Sequence, residues 1–486
     1  MNVDICAVVN IFRRGHVLEE QINAIREQTI PPKSIIIWNN GNKNVDLSKY
    51  KNDTFFKVFD CNYNTGVWPR FLISQLANSE YVCVFDDDTI PGKNWFLNCY
   101  TCMQQKEALY GTIGVIFKDA ANYDVHRRYG WDSNNSGNNT ISMPVDIVGH
   151  SWFFKKKWLS YFLRETPDIN EYFSVGEDIN FSFMLQKYAT IPTYVPPHPS
   201  NDLSMFGSIP KTAWELGCDG NSGSNVLKTF DDAYSNAINS GFRTMIQRQK
   251  ATSSTDFDYF INKIKNNDLF SLIRPADGEY HILQNTTLTN IDKWTFTQNS
   301  KLYIDLKNAL ELASKKCCYV GIPCGCCNIN MAKWYINMFK LHPNYTTFAN
   351  IFVNANWKKW TSFLTDERPS FIFIGPNHLP IQYNVQHYIP IPLYLVNEWD
   401  KKGNEYVTNI LSQIKKYKNK LFLFSGGPIS KIIIANAWNE HPYNSYIDIG
   451  SSLDLYSKGT TNREYAIKNS PLSKLECKFD TNIINL

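Results

Sequence analysis

Residues 82–88 read Val-Cys-Val-Phe-Asp-Asp-Asp, an apolar run of strand composition that stops on three consecutive carboxylates. A strand of this kind belongs in a sheet interior, and carboxylates crowded at its end repel one another unless protons, basic groups or a metal neutralise them. Asp86 and Asp88, two residues apart, can converge on one hard divalent ion. The same letters also spell an Asp-rich solvated turn. Either way the strand has to end where charge is tolerated, at a sheet's carboxyl edge.

The flanking sequence supplies that sheet. Residues 5–9, 34–38, 55–59 and 81–85 are strand-like, with helical spacing across 17–27 and 68–77 between them. Alternating strands and helices predict βαβ units and a mostly parallel sheet, with ligands bound beyond the carboxyl ends of the strands. Between residues 200 and 255 the pattern loosens into Asn, Ser and Gly, closing with Ala251-Thr252-Ser253-Ser254-Thr255. A second alternating set follows, with strands expected over 270–273, 318–322, 371–374, 421–424 and 446–449. The fold class expected is α/β with two Rossmann-like nucleotide-sugar-binding domains: residues 1–245, a linker over 246–256, and residues 257–486.

Composition removes several function classes. With 486 residues the chain is long enough for two or three cores. A net charge of +4 from 49 basic and 45 acidic residues provides no field for nucleic acid or an anionic membrane. Aromatics at 14% supply stacking platforms for sugar rings or bases. Of twelve cysteines, Cys6, Cys61 and Cys83 sit in or beside apolar runs, and Cys99 and Cys102 form a lone CxxC. Cys317, Cys318, Cys324, Cys326 and Cys327 are clustered, yet no His/Cys pair at finger-like spacing completes a zinc site, so reduced thiols are expected. No basic segment precedes the first apolar run and no stretch reaches membrane-spanning length, so a soluble, cytoplasmic protein is expected.

The ordered series AVVNIFRR, IIIWNNG, NTGVWPRF, YVCVFDDDTIPGKNWF, VGHSWFFKKKWL and SVGEDINFSFMLQK resembles GT-A fold glycosyltransferases, closest to the large inverting family two. The resemblance implies transfer of a sugar from a nucleotide diphosphate, with Mn²⁺ or Mg²⁺ held by Asp86 and Asp88, and Asp87 beside them at the donor. Asp178, in Gly176-Glu177-Asp178, matches the family's ED base; without that role, Glu177 and Asp178 would cap a helix. Arg13 or Arg14, together with Asn39 or Asn40, occupy the nucleotide-holding positions, although relatives often carry an Asp where this chain has Trp38-Asn39-Asn40. Arg70 is placed to contact the donor or to sit on a helix surface. His198, in VPPHP, is a third metal ligand or a loop histidine.

A second series begins at SLIRPADGEYHIL, where Asp277-Gly278-Glu279 can turn two carboxylates toward one ligand. With YVGIPCG, FANIFVN, LFLFSGGPISKIIIANAW and YIDIG it resembles the GT-D type of glycosyltransferase domain, in which a DxE motif serves the nucleotide sugar. That implies donor contacts from Arg274, Gly426 and Gly427, with Asp277 and Glu279 in the chemistry and Asp448 a further acceptor or base contact. The whole reads as a bifunctional transferase acting in succession on one glycan acceptor, similar to multidomain enzymes of large algal viruses. The competing readings are one active domain with a non-catalytic glycan- or nucleotide-binding partner, or a sugar nucleotidyltransferase.

Overall fold

The computed structural model describes residues 3–130, 138–166, 174–210, 224–290, 293–392, 394–467 and 470–479. The chain divides into two compact units, Met1–Gln247 and Arg248–Leu486.

The first unit is built on a nine-stranded sheet of β1 (Ile5–Ile11), β2 (Ser34–Asn40), β3 (Phe56–Cys61), β4 (Tyr81–Phe85), β5 (Leu109–Phe117), β6 (Val125–Tyr129), β7 (Met143–Val145), β8 (Ile147–Lys155) and β9 (Thr193–Val195). Its order is β3-β2-β1-β4-β8-β5-β9-β7, with β6 on β5. The four strands from β3 to β4 run parallel, whereas β8 is antiparallel to β4 and to β5. Every residue of β1 and of β4 is buried. This explains why they read as unbroken apolar runs, without the alternation of a one-faced strand. The connection from β1 leads to β2 on one side, while β4 lies on the other. The crevice where strand order reverses therefore opens at the carboxyl ends of β1 and β4. Asp86, Asp87 and Asp88 follow β4 directly, at that crevice.

The second unit contains β10 (Ser271–Ile273), a hairpin of β11 (Leu288–Thr289) and β12 (Thr295–Phe296), β13 (Tyr319–Ile322), β14 (Thr346–Phe348), β15 (Phe371–Gly375), β16 (Val385–Pro390), β17 (Leu421–Phe424) and β18 (Ser445–Asp448). Seven of these form one sheet, β14-β13-β10-β18-β17-β15-β16, in which every neighbouring pair is parallel. The helices Lys301–Lys315 and Pro428–Glu440 contribute Leu306, Leu310, Ile433 and Ile434 to its buried core. The two sheets bear out the α/β class with parallel-rich sheets.

The tract expected as a linker is ordered into the second unit. Thr252 is the N-cap of helix Ser253–Lys265, its hydroxyl accepting the Thr255 N–H and the Thr255 hydroxyl accepting the Thr252 N–H in a capping box. Arg248 and Asp256, both almost fully buried, form a two-pronged ion pair at 2.5 and 2.8 Å. Small polar residues here serve a helix start, a use that composition cannot distinguish from a flexible link.

Candidate active sites

In the first unit, the loop after β1 and the turn after β4 are tied by one carboxylate. Asp87 Oδ2 accepts the backbone N–H groups of Phe12, Arg13 and Arg14 at 3.0, 2.8 and 3.1 Å, and its Oδ1 meets Arg14 Nη1 at 2.7 Å. Asp87, expected at the donor, therefore has both oxygens engaged in shaping the loop. Gln21, which the sequence reading passed over, is buried and donates to the carbonyls of Asp86 and Thr89, both at 2.6 Å.

Arg70 is the hub. Its guanidinium is buried, pairs with Asp86 through Nη1 and with Glu177 through Nη2, and lies 4.6 Å from the Trp152 ring centroid. The choice between donor contact and surface arginine thus resolves into an interior cation that holds two carboxylates together. Burial pushes the Asp86 carboxyl up to about 8, against the pull of Arg70. Asp178 opens the helix Glu177–Ala189 just after Gly176, whose left-handed backbone (φ 89°) turns the chain into it. Burial, and next the Glu177 charge, raise the Asp178 carboxyl to about 7. A carboxylate held near neutrality is poised to exchange a proton. Burial and then the charge of Asp178 also keep the Tyr123 phenol protonated.

Asp86, Asp88 and His150 present ligand atoms within 4.8 Å of one another. Asp88 meets Arg14 Nη1 at 3.4 Å and His150 Nδ1 at 3.7 Å. His150 sits in left-handed backbone (φ 66°), and its carbonyl accepts the Asp86 N–H and the Thr89 hydroxyl, each at 3.0 Å. Burial lowers its imidazole below the ordinary value, against the pull of Asp88. Two carboxylates and a neutral imidazole are a donor set that Mn²⁺ accepts.

His198 does not join this cluster. Fully buried, it lies against Trp95 and Phe206, with Nδ1 2.8 Å from the Pro196 carbonyl and Nε2 accepting the Gly207 N–H at 3.3 Å. With both ring nitrogens engaged inside the protein it has no lone pair for a metal, so the histidine of the cluster is His150. Nor do the two asparagines offer free amides. Asn39 joins Asn42 and Asp60, and Asn40 joins Asn64, Thr65 and Gly66. Both hold loops at the carboxyl ends of β2 and β3. Arg13 is exposed beside a cavity of about 420 Å³ lined by His16, Asn42, Asp46, Lys49 and Tyr50 among others.

The second unit has a cleft of about 380 Å³ over the carboxyl ends of β10, β17 and β18, into which Arg274, Asp277, Gly426, Gly427, Lys458 and Arg463 project or open. Asp277 is exposed at the start of helix Asp277–Leu283. Glu279 is not: its Oε2 accepts the Ala276 N–H at 3.0 Å and its Oε1 meets Lys431 Nζ at 2.8 Å. Lys431 also meets Asp448 Oδ2 at 2.9 Å, and all three side chains are buried. Asp448 Oδ2 additionally accepts the Arg274 N–H at 3.2 Å, and Arg274 Nε donates to the Asp448 carbonyl. Both members of the DxE pair line the cleft, Asp277 exposed and Glu279 held in an ion pair with Lys431. Lys431 lies in the apolar run PISKIIIANAW, where the only signal was a charge amid isoleucines.

Residues 6–162 match the model of the family described as Glycosyl transferase family 2. Over that stretch the chain is similar to family 2 glycosyltransferases. That match spans the sheet from β1 to β8 and contains Arg70, Asp86, Asp88 and His150 of the site, with Asp178 beyond it. No curated protein matches this chain. Solved structures similar to it include S. aureus TarS 1–349 in complex with UDP-GlcNAc, 15% identical with a TM-score of 0.29, over 42% of this chain and 60% of that one. The same TarS fragment with UDP is 16% identical with a TM-score of 0.29, over 40% and 60%. A domain of unknown function 1792, described as having a distinct glycosyltransferase fold, is 19% identical with a TM-score of 0.30, over 45% and 88%. The chain spans about 60% of the length of the TarS 1–349 chains it matches. Among the described residues no helix is long and apolar enough to cross a membrane.

Proposed function

We propose that the chain is a two-site glycosyltransferase that passes sugars from nucleotide-diphosphate donors to one glycan acceptor in succession, the first transfer inverting. The observation that carries this reading is the placement of Asp178, a carboxylate near neutral pKa, across Arg70 from the Asp86 and Asp88 pair at a sheet switch point. Asp178 takes the proton of the acceptor hydroxyl as its oxygen bonds to the anomeric carbon. The bond from that carbon to the diphosphate breaks, and the nucleoside diphosphate leaves with the electron pair. Arg70 pairs with Asp86 and Glu177 and so ties the β4 turn to the helix that carries Asp178. Asp86, Asp88 and His150 would hold Mn²⁺ or Mg²⁺. A bound ion supplies positive charge to the departing diphosphate.

In the second unit, Arg274, Lys431, Arg463 and Lys458, the last paired with Asp454, bring basic groups to the cleft that suit a diphosphate, and Asp277 is its exposed carboxylate. Glu279 and Asp448, neutralised by Lys431, position the loops around it. A second reading, in which this unit binds glycan or nucleotide without turnover, draws on the same ion pair, because it leaves only one carboxylate of the DxE free.

A donor screen decides between these readings and a nucleotidyltransferase. The full chain is offered uridine and guanosine diphosphate sugars with and without Mn²⁺ or Mg²⁺, and nucleoside diphosphate is measured. Metal-dependent release that Asp88→Ala abolishes, with a remainder that Asp277→Ala abolishes, is the expected result. Pyrophosphate from nucleoside triphosphate and sugar phosphate, with no diphosphate release, would overturn the transferase reading.

A further inference from the structure

Four thiols converge beside the second unit's cleft. Cys324 is the N-cap of helix Gly325–Phe339, and Cys326 and Cys327 stand in its first turn. A break in the helical backbone at Asn328 (φ −158°, ψ 89°) sets this turn apart from the rest of the helix. Cys477 arrives from 150 residues beyond Cys327, on a segment clamped in place: its N–H donates to Ser253 Oγ at 3.0 Å, and the Ser253 N–H donates to its carbonyl at 2.8 Å. The four sulfurs all lie within 4.8 Å of one another. Cys327 and Cys477 are 3.9 Å apart, and Cys324 and Cys326 are 2.9 Å apart. A disulfide requires about 2.05 Å. Thiolates on a tetrahedral zinc ion, with bonds of about 2.3 Å, stand about 3.8 Å apart. The first spacing matches a coordination edge, and the second lies between a disulfide bond and that edge, so Cys324 and Cys326 would move apart on binding.

Nothing hard enters the donor set. It contains four sulfurs and no carboxylate, which selects a soft or borderline ion over Mg²⁺ or Mn²⁺. An outer partner is also present: Asn350 Nδ2 donates to Cys477 Sγ at 3.5 Å and to Cys327 Sγ at 3.7 Å. Such donors orient and stabilise metal-bound thiolates. Cys317 and Cys318, adjacent in sequence, are buried apart from the group, so the set is 324, 326, 327 and 477.

We propose that Cys324, Cys326, Cys327 and Cys477 bind one zinc ion that fastens the carboxyl-terminal segment to the helix following β13. The four thiols release their protons to solvent and coordinate as thiolates, with no change of oxidation state. Because Asn350 also lines the cleft, the ion fixes one edge of that cleft as well.

The test uses the full chain, purified under reducing conditions without chelator and equilibrated with Zn²⁺. Elemental analysis should find about one zinc per chain, and Co²⁺ in its place should give the absorption of a tetrahedral sulfur site. Cys326 and Cys327 are exposed, so Cys326→Ser with Cys327→Ser should preserve the folded circular dichroism spectrum and lose the metal. Cys61→Ser, outside the cluster, should keep it. Asn350→Ala should weaken zinc binding about 10–100-fold. A folded, reduced chain that takes up no zinc would overturn the proposal, as would a double serine variant that retains it or an iron-sulfur chromophore in the isolated protein.

Discussion

At the residue scale, the proposed chemistry of the first site assigns Asp178 as the base. Its carboxyl is raised to about 7, so below that pH it holds a proton and cannot accept the one on the acceptor hydroxyl. First-transfer kcat/KM should therefore rise with pH through about 7 and level off above. Asp178→Asn should lower transfer by about two to four orders of magnitude with donor affinity little changed. A pH profile flat from 5 to 9 in the wild-type chain would remove Asp178 from the role. Lys431 invites a stability measurement instead, because it neutralises Glu279 and Asp448 in a buried site. Lys431→Met removes the cation shared by two buried carboxylates and should cost about 3–5 kcal/mol in chemical denaturation of the second unit. The positions of Asp86 and Asp88 after a buried strand and of Asp178 in the first turn of a helix were legible from the sequence, because charge after an apolar strand or at a helix start has few uses. His150 and Lys431 were not, since a histidine in VGHSWFF and a lysine in an isoleucine run look like incidental polar residues until neighbouring strands bring their partners. For His198 the sequence left metal ligand and loop histidine open, because its VPPHP loop has no local sign that both nitrogens are occupied.

At the scale of elements, the fully buried parallel strands were the easiest to read, since a continuous Val, Ile and Phe run has one structural home. Loop function was harder. The Asn39 and Asn40 amides close onto residues up to 26 positions away, and Asp87 gathers amides from more than 70 positions before it. Such contacts depend on sheet order, which no local pattern encodes. The turn after β17 carries a sharper prediction. Gly427 has φ 53° and ψ −136°, a backbone state that side chains other than glycine's adopt only with strain. Gly427→Ala should destabilise the second unit by about 1–3 kcal/mol and weaken donor binding in its cleft, as read by calorimetry. An unchanged melting profile and affinity would show that this turn can relax without consequence.

At the scale of the whole molecule, two units were visible as two runs of alternating strands and helices, and the division after Gln247 falls inside the tract 246–256 read as a linker. Residues 248–256 look like a linker but hold Arg248 against Asp256 and Ser253 against Cys477. A fragment beginning at Arg248 should consequently be more stable, by about 3–5 kcal/mol, than one beginning after Ser253, which leaves Asp256 buried without its cation. On the two-site proposal, tethering both sites to one chain would raise the local concentration of the first product at the second site without any new contact. The central claim, that each unit transfers a sugar of its own, is tested most directly by separating fragments 1–247 and 248–486 and measuring nucleoside diphosphate release by each across the donor panel. The account predicts that both fragments turn over a donor, that Asp88→Ala silences the first and Asp277→Ala the second, and that the second requires the first one's product as acceptor. Turnover confined to one fragment, with the other folded and supplied with that product, would contradict it.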